Sequence, residues 1–205
     1  MKIKLKDLDT FVYIDVSIIR NALKISDIEI DWNMLYDYLK STYKNLKSVK
    51  YFEGIDRYDN AKKEELEKLK TYGYKIKSLE RKSYNEPPKY RTFVCKNCHH
   101  KNKVNISKKY KKLKSNVDVY LCSELMGDLL TSQKHVHAII LSCDGDYAEM
   151  IRNIIKKNSN VYISVFATPF TKSNNYLSIR LKKLERIDRY YLVNILNIKD
   201  RIRKL

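Results

Sequence analysis

"HAIILSCDGDYAEMIRNIIKK", residues 137–157, is the stretch that decides the fold. A short, mostly apolar run leads into two aspartates separated by one glycine, and an amphipathic segment follows at once. The first part has the length and composition of a buried strand. In the second, Tyr147, Met150, Ile151, Ile154 and Ile155 fall at the i, i+3, i+4, i+7, i+8 spacing of a helix with one core-facing stripe. A strand feeding a helix is one step of an α/β sheet. Two like charges held two positions apart at that junction need a physical cause.

Working outward, strand-like runs occur at 10–15, 48–56, 74–80, 137–142 and 161–167, and helical patterns at about 31–46, 60–72, 118–132, 146–157 and 174–186. This alternation predicts an α/β fold with a mostly parallel central sheet covered on both faces and right-handed crossovers. The stretch from about 83 to 114 interrupts it with Pro87, Pro88, a Cys-x-x-Cys and a lysine run, and reads as an inserted basic hairpin or loop. The expected organisation is one domain, residues 1–205, with that insert at about 83–114. Neither GxGxxG nor GxxxxGK[ST] occurs, and the chain has 4 glycines, so a glycine-rich phosphate cradle is not expected.

At 205 residues the chain is long enough for one well-buried domain. It contains no apolar run of membrane-spanning length, and its start, "MKIKLKDLDT", lacks a signal peptide's apolar core. The expectation is a cytoplasmic protein whose four cysteines are thiols or metal ligands rather than a disulfide framework. The formal charge is +18, which points to a polyanion as partner, and nucleic acid is the commonest one. An AT-rich genome also yields a lysine-rich chain. The distribution says more than the total: from Lys89 to Asn116 there are ten Lys or Arg and no acidic residue.

In an open α/β sheet the functional crevice lies beyond the carboxyl ends of the strands. Asp15 closes "FVYID", Asp144 and Asp146 follow "AIILS", and Asp118 opens the helix "VDVYLCSELMGDLL". Crowded at one rim, these carboxylates repel one another unless a cation sits among them, and Mg²⁺ or Mn²⁺ suits hard oxygen ligands better than zinc does. Each also has a structural reading: Asp146 with Glu149 as a capping box, Asp118 as a helix cap, Asp15 as a turn residue. A cap at Asp146 leaves Asp144 unexplained, and Gly145 would let the backbone bend so that both approach one site.

"FVYIDVS", "NVDVYLCSEL" and "IILSCDGDYAEMI" resemble, in order and spacing, the NYN domains, a branch of the PIN-like nucleases. The later "NVYISVFATPFTKSNNYLSIRLKKLERIDRYYL" is similar to that family's closing strand and helix. The resemblance implies a PIN-like three-layer sandwich that hydrolyses RNA with a divalent metal held by Asp15, Asp118, Asp144 and Asp146. It makes Ser17, Glu124 and Ser142 supporting residues around that set. Departures from the pattern are Ile18, Asn116 and Cys143, which stand where the family has an asparagine and two glycines.

Cys95 and Cys98 have zinc-ligand spacing, with His99 or His100 as a third donor, though no fourth ligand is near in sequence; a second chain completing the site would make a homodimer. Lys108, Lys109, Lys111, Lys112 and Lys114, with Tyr90, Phe93 and Tyr110 among the insert's aromatics, suit a single strand of RNA. A solvated lysine-rich loop is the alternative. His135 and His137 fall at the end of their strand opposite the carboxylates, which argues against a catalytic role. The functions left open are a metal-dependent endoribonuclease, a catalytically silent RNA-binding module and a PIN-like DNA nuclease.

Overall fold

The structure is a computed structural model that describes residues 3–85, 89–106, 111–169 and 177–204, without the side chains of residues 85, 111 and 112. Six parallel strands form the central sheet: β1 (Asp9–Asp15), β2 (Asn45–Ile55), β3 (Lys75–Glu80), β8 (Val136–Leu141), β9 (Val161–Ala167) and β10 (Tyr190–Asn194). Between β3 and β8 run four short strands, β4 (Lys82–Asn85), β5 (Tyr90–Val94), β6 (Lys101–Asn105) and β7 (Lys111–Lys114). The helices are α1 (Val16–Lys24), α2 (Trp32–Thr42), α3 (Asn60–Tyr72), α4 (Val117–Leu130), α5 (Tyr147–Lys157) and α6 (Ile179–Lys182), with 3-10 turns at Leu5–Asp7, Lys183–Arg186 and Ile195–Arg201.

The sheet order is β3-β2-β1-β8-β9-β10. The chain steps outward from β1 to β3, then returns to the other side of β1 at β8. That reversal opens a crevice at the carboxyl ends of β1 and β8, the place where doubly wound sheets bind their ligands. Every residue of β8 is buried, as a strand covered on both faces demands.

The two covering layers can be read from β2, whose side chains alternate between them. Lys50 and Phe52 meet α4, through the Lys50–Glu124 ion pair and the Phe52–Tyr120 ring contact. Tyr51 and Glu53 meet the opposite layer, through Trp32 at the start of α2 and Arg20 on α1. Both buried charges are balanced. Lys50 Nζ lies 2.6 Å from Glu124 and 2.5 Å from Asp128, and Glu53 sits 2.8 Å from Arg20 and 2.9 Å from Lys62.

Three elements differ from the sequence reading. Helix α1 starts directly at the end of β1, where the sequence reading places no element; Asp15 caps it, and Val16, Ile19, Ala22 and Leu23 supply its buried stripe. Strand β10 adds a sixth, edge position whose alternation is masked by the aromatic pair Tyr190–Tyr191. The last helix is only Ile179–Lys182 followed by a 3-10 turn, and residues 174–176 of the expected span lie outside the described residues. In the 82–114 stretch β4 pairs with β7 and β5 with β6, both antiparallel.

Candidate active site at the ends of β1 and β8

Asp15 ends β1 and is 4% exposed. Its Oδ1 accepts the Ile18 amide at 3.3 Å and the Ser17 hydroxyl at 3.2 Å, and its Oδ2 accepts the Tyr147 hydroxyl at 2.8 Å. Burial pushes its carboxyl pKa up, the three hydrogen bonds pull against that, and the charge of Asp144 pushes it up again. Across the crevice, Ser142 is buried and its hydroxyl accepts the Asp144 amide at 3.1 Å. Asp144 Oδ1 in turn accepts the Asp146 amide at 3.0 Å. Asp118 is exposed in the first turn of α4.

One turn beyond Asp118, Cys122 reports on the whole set. Burial pushes its thiol up to about 11, and the fields of Asp118, Asp144, Asp146 and Asp15 add to that in this order. All four aspartates expected from the sequence therefore act on one thiol. The crevice has a volume of about 470 Å³ and is lined by Ile18, Asp144, Asp146, Ser178 and Arg180 among others.

The capping readings fail. Asp146 occupies the N-cap position of α5 with helical dihedrals and makes no side-chain cap bond, and Glu149 bonds to Arg152 and Asn153 instead. Asp118 lies inside α4, whose N-cap is Asn116. Of the four site aspartates, Asp15 is the one whose side chain caps a helix. Gly145 also has a different reason from the one expected. Its φ is not positive, but a Cβ there would lie 2.1 Å from Ser178 Oγ and 2.7 Å from Ser178 Cβ. Close approach of the 177–180 segment, and not a backbone bend, is what excludes a side chain.

Glu124 stands apart from this cluster. Its oxygens lie 2.6 Å from Lys50 Nζ and 2.8 Å from Lys77 Nζ, which hold its carboxyl below the usual range. Tyr13 donates to Asp128 in the same network. His137 lies at the amino end of β8, bonded at 2.8 Å to Ser164, and burial lowers its pKa to about 4. Of the departures, Asn116 has φ −90°, which a non-glycine residue adopts without strain. Cys143 is buried with its sulfur 3.4 Å from the Thr168 hydroxyl.

Two contributors escape a sequence reading. Tyr147 reads as one more apolar position of the α5 stripe, yet its hydroxyl is the shortest hydrogen bond on Asp15. Arg180 reads as part of a basic helix face with Lys182, Lys183 and Arg186, yet its guanidinium stands 3.5 Å from Asp146 across the crevice. Its adjacency to the glycine of the Asp-Gly-Asp turn appears only in three dimensions.

A divalent cation fits this donor set chemically. Among the described residues Asp15, Asp118 and Asp144 make no ion pair, so a buried carboxylate and its neighbours keep uncompensated charge. No three acidic, histidine or cysteine side chains among the described residues stand together as one ligand set. Mg²⁺ commonly takes one or two carboxylates and keeps several waters, so such an ion does not require three protein ligands.

In the 82–114 stretch, Lys108 and Lys109 lie outside the described residues; Lys111 and Lys112 belong to β7, and Lys114 is exposed at its end. Lys103 stands 4.5 Å over the Tyr90 ring. Cys95 and Cys98 share the β5–β6 turn, where neither His99 nor His100 joins them as a third ligand.

A doubly wound parallel sheet with aspartates at the carboxyl ends of its strands belongs to the class of α/β folds that bind ligands at a topological switch point. The NYN domain profile matches residues 9–180, and the chain belongs to that family, a branch of the PIN-like nucleases. The protein of unknown function VPA0982 from Vibrio parahaemolyticus RIMD 2210633 has a similar crystal structure, with a TM-score of 0.59 and 14% identity over 100% of both chains. At that identity the likeness concerns the fold alone. No curated protein matches the chain. Among the described residues no helix is long and apolar enough to cross a membrane.

Proposed function

We propose that the protein is a metal-dependent endoribonuclease. The observation that supports this reading is that Asp15, Asp118, Asp144 and Asp146 all lie near enough to Cys122 for their charges to raise its pKa, in a member of a nuclease family, with Asp144 and Asp146 lining the crevice and Asp15 buried without a basic partner among the described residues. Asp15 and Asp144 would hold Mg²⁺ or Mn²⁺, with Asp118 and Asp146 facing its waters. When bound there, such an ion supplies Lewis-acid polarisation of a phosphoryl oxygen and activation of water.

The chain's own groups prepare that chemistry. Tyr147, Ser17 and the Ile18 amide bond both oxygens of Asp15 and fix its orientation. Ser142 fixes the Asp144 backbone, and the Asp146 amide fixes one Asp144 oxygen. Arg180, 74% exposed at the mouth, offers a fork of donors to a phosphate. RNA approaches along the basic arm, where Lys101 and Lys103 share a face with Tyr90 and meet backbone charge and base faces together.

The test is incubation of the full chain with labelled single-stranded RNA and DNA in Mg²⁺, Mn²⁺ or EDTA. Internal cleavage of RNA with either metal and none in EDTA supports the reading. Cleavage of DNA alone would make the protein a DNA nuclease, and RNA binding without cleavage would make it a binding module.

A further inference from the structure

The tip of the β5–β6 hairpin is built as half of a metal site. The His100 carbonyl accepts the Cys95 amide at 3.0 Å, the Cys95 carbonyl accepts the His99 amide at 2.9 Å, and His99 takes a left-handed φ of 56° that lets the chain wrap round the pair. Lys96 between the cysteines adds positive charge, which favours the thiolate, the form that binds metal. A redox Cys-x-x-Cys opens a helix, whereas this one closes a hairpin.

A structural zinc site is closed by four ligands. Among the described residues nothing stands with Cys95 and Cys98 to supply the other two. Cys143 is buried, Cys122 lies among the active-site aspartates, and His137 is buried against Ser164.

The same hairpin exposes apolar side chains on both faces, and on one of them they lead up to Cys95. Directly opposed residues of an antiparallel pair share a face, so Phe93 with Asn102 and Arg91 with Val104 lie on one side. Phe93 and Val104 are 49% and 46% exposed, and Ile106 continues their side at 53%. By the two-residue period Cys95 follows Phe93 on that side. Tyr90, Val94, Lys101 and Lys103 lie on the other, where the two lysines make it the face assigned to RNA.

We propose that the hairpin tip binds one zinc ion shared by two copies of the chain, with Cys95 and Cys98 of each copy as its four ligands and the Phe93–Val104 faces packed between the arms. An incomplete pair of ligands and exposed apolar side chains on one side of one hairpin are then satisfied by the same partner. Two Lys96 and two Lys101 side chains offset the net negative charge of a four-thiolate zinc centre.

The experiment measures zinc content and light-scattering mass of the reduced full chain, with zinc and after chelation. The expected result is one zinc per two chains and a mass that halves on chelation. Replacement of the ion by Co²⁺ should give thiolate-to-metal charge-transfer absorption. The variant Cys95→Ser/Cys98→Ser should lose both metal and dimer, and Phe93→Asp/Val104→Asp should weaken dimerisation at least tenfold while leaving both thiols in place. Since these side chains are outside the sheet's core, the melting of the variants checks that they are folded. Zinc at one per chain in a monomer, no zinc at all, or a dimer that survives chelation and dissolves only with reductant would each overturn the proposal. None of these results depends on whether RNA is cleaved.

Discussion

Replacing Tyr147 by Phe removes one hydroxyl and keeps the ring that packs α5 on the sheet. Tyr147 is 1% and Asp15 4% exposed, so water does not replace the missing 2.8 Å hydrogen bond. A hydrogen bond to a charged acceptor contributes about 1.5–3 kcal/mol, one to a neutral acceptor about 0.5–1.5 kcal/mol. The cost of Tyr147→Phe therefore depends on the charge of Asp15. The folded pKa of Asp15 is raised above its ordinary value of 3.8, chiefly by burial. Stability conferred by the neutral carboxyl is fully present below 3.8 and is lost as pH rises through the folded pKa. Without the Tyr147 bond the folded pKa rises further, so the loss extends to higher pH. Urea unfolding in EDTA should give a small penalty at the acid end and about 1.5–3 kcal/mol near neutrality, the latter lowering Tm by about 2–4 °C for each kcal/mol. The acid limb of RNA cleavage should move to higher pH in the same variant. A penalty that is constant with pH would refute the assignment of Tyr147 to an ionised Asp15.

Gly145→Ala should cost about 1–3 kcal/mol by overpacking Ser178, and Ser178→Gly should recover most of that in a double-mutant cycle by denaturant unfolding. Mg²⁺ or Mn²⁺ at a hundredfold excess over its dissociation constant should stabilise the fold by about 2.7 kcal/mol in thermal melts, and Asp15→Asn or Asp144→Asn should abolish that response. Neutralising Lys108, Lys109, Lys111 and Lys112 together should flatten the salt dependence of RNA affinity by about 0.7 in log–log slope for each phosphate that the arm no longer neutralises, with turnover at saturating RNA unchanged.

What the sequence makes legible follows from period and punctuation. The β8 and α5 boundary is clear because a continuous apolar run gives way to a 3.6-residue stripe within a few residues. The four aspartates are legible because strand ends and helix starts are local features. Helix α1 is obscured because Val16, Ile18 and Ile19 favour strand locally, and burial of the Val16, Ile19 and Leu23 stripe overrides that preference. The contacts of Tyr147 with Asp15 and of Arg180 with Asp146 join residues far apart in sequence, or on an element whose own pattern gives another reason for them. Glu124 shows the converse. Its spacing from Asp118 suggests the active site, but two lysines on β2 and β3 hold it elsewhere.

The central claim is that cleavage of RNA requires the carboxylates of Asp15 and Asp144 to act together with a divalent ion. It is tested most directly by single-turnover cleavage of a labelled single-stranded RNA in Mg²⁺, comparing the wild type with Asp144→Asn and Asp15→Asn at protein concentrations that give equal RNA binding. The wild type should cut, EDTA should stop it, and both folded variants should bind RNA without cutting it. Cutting by either variant at the wild-type rate would contradict the claim.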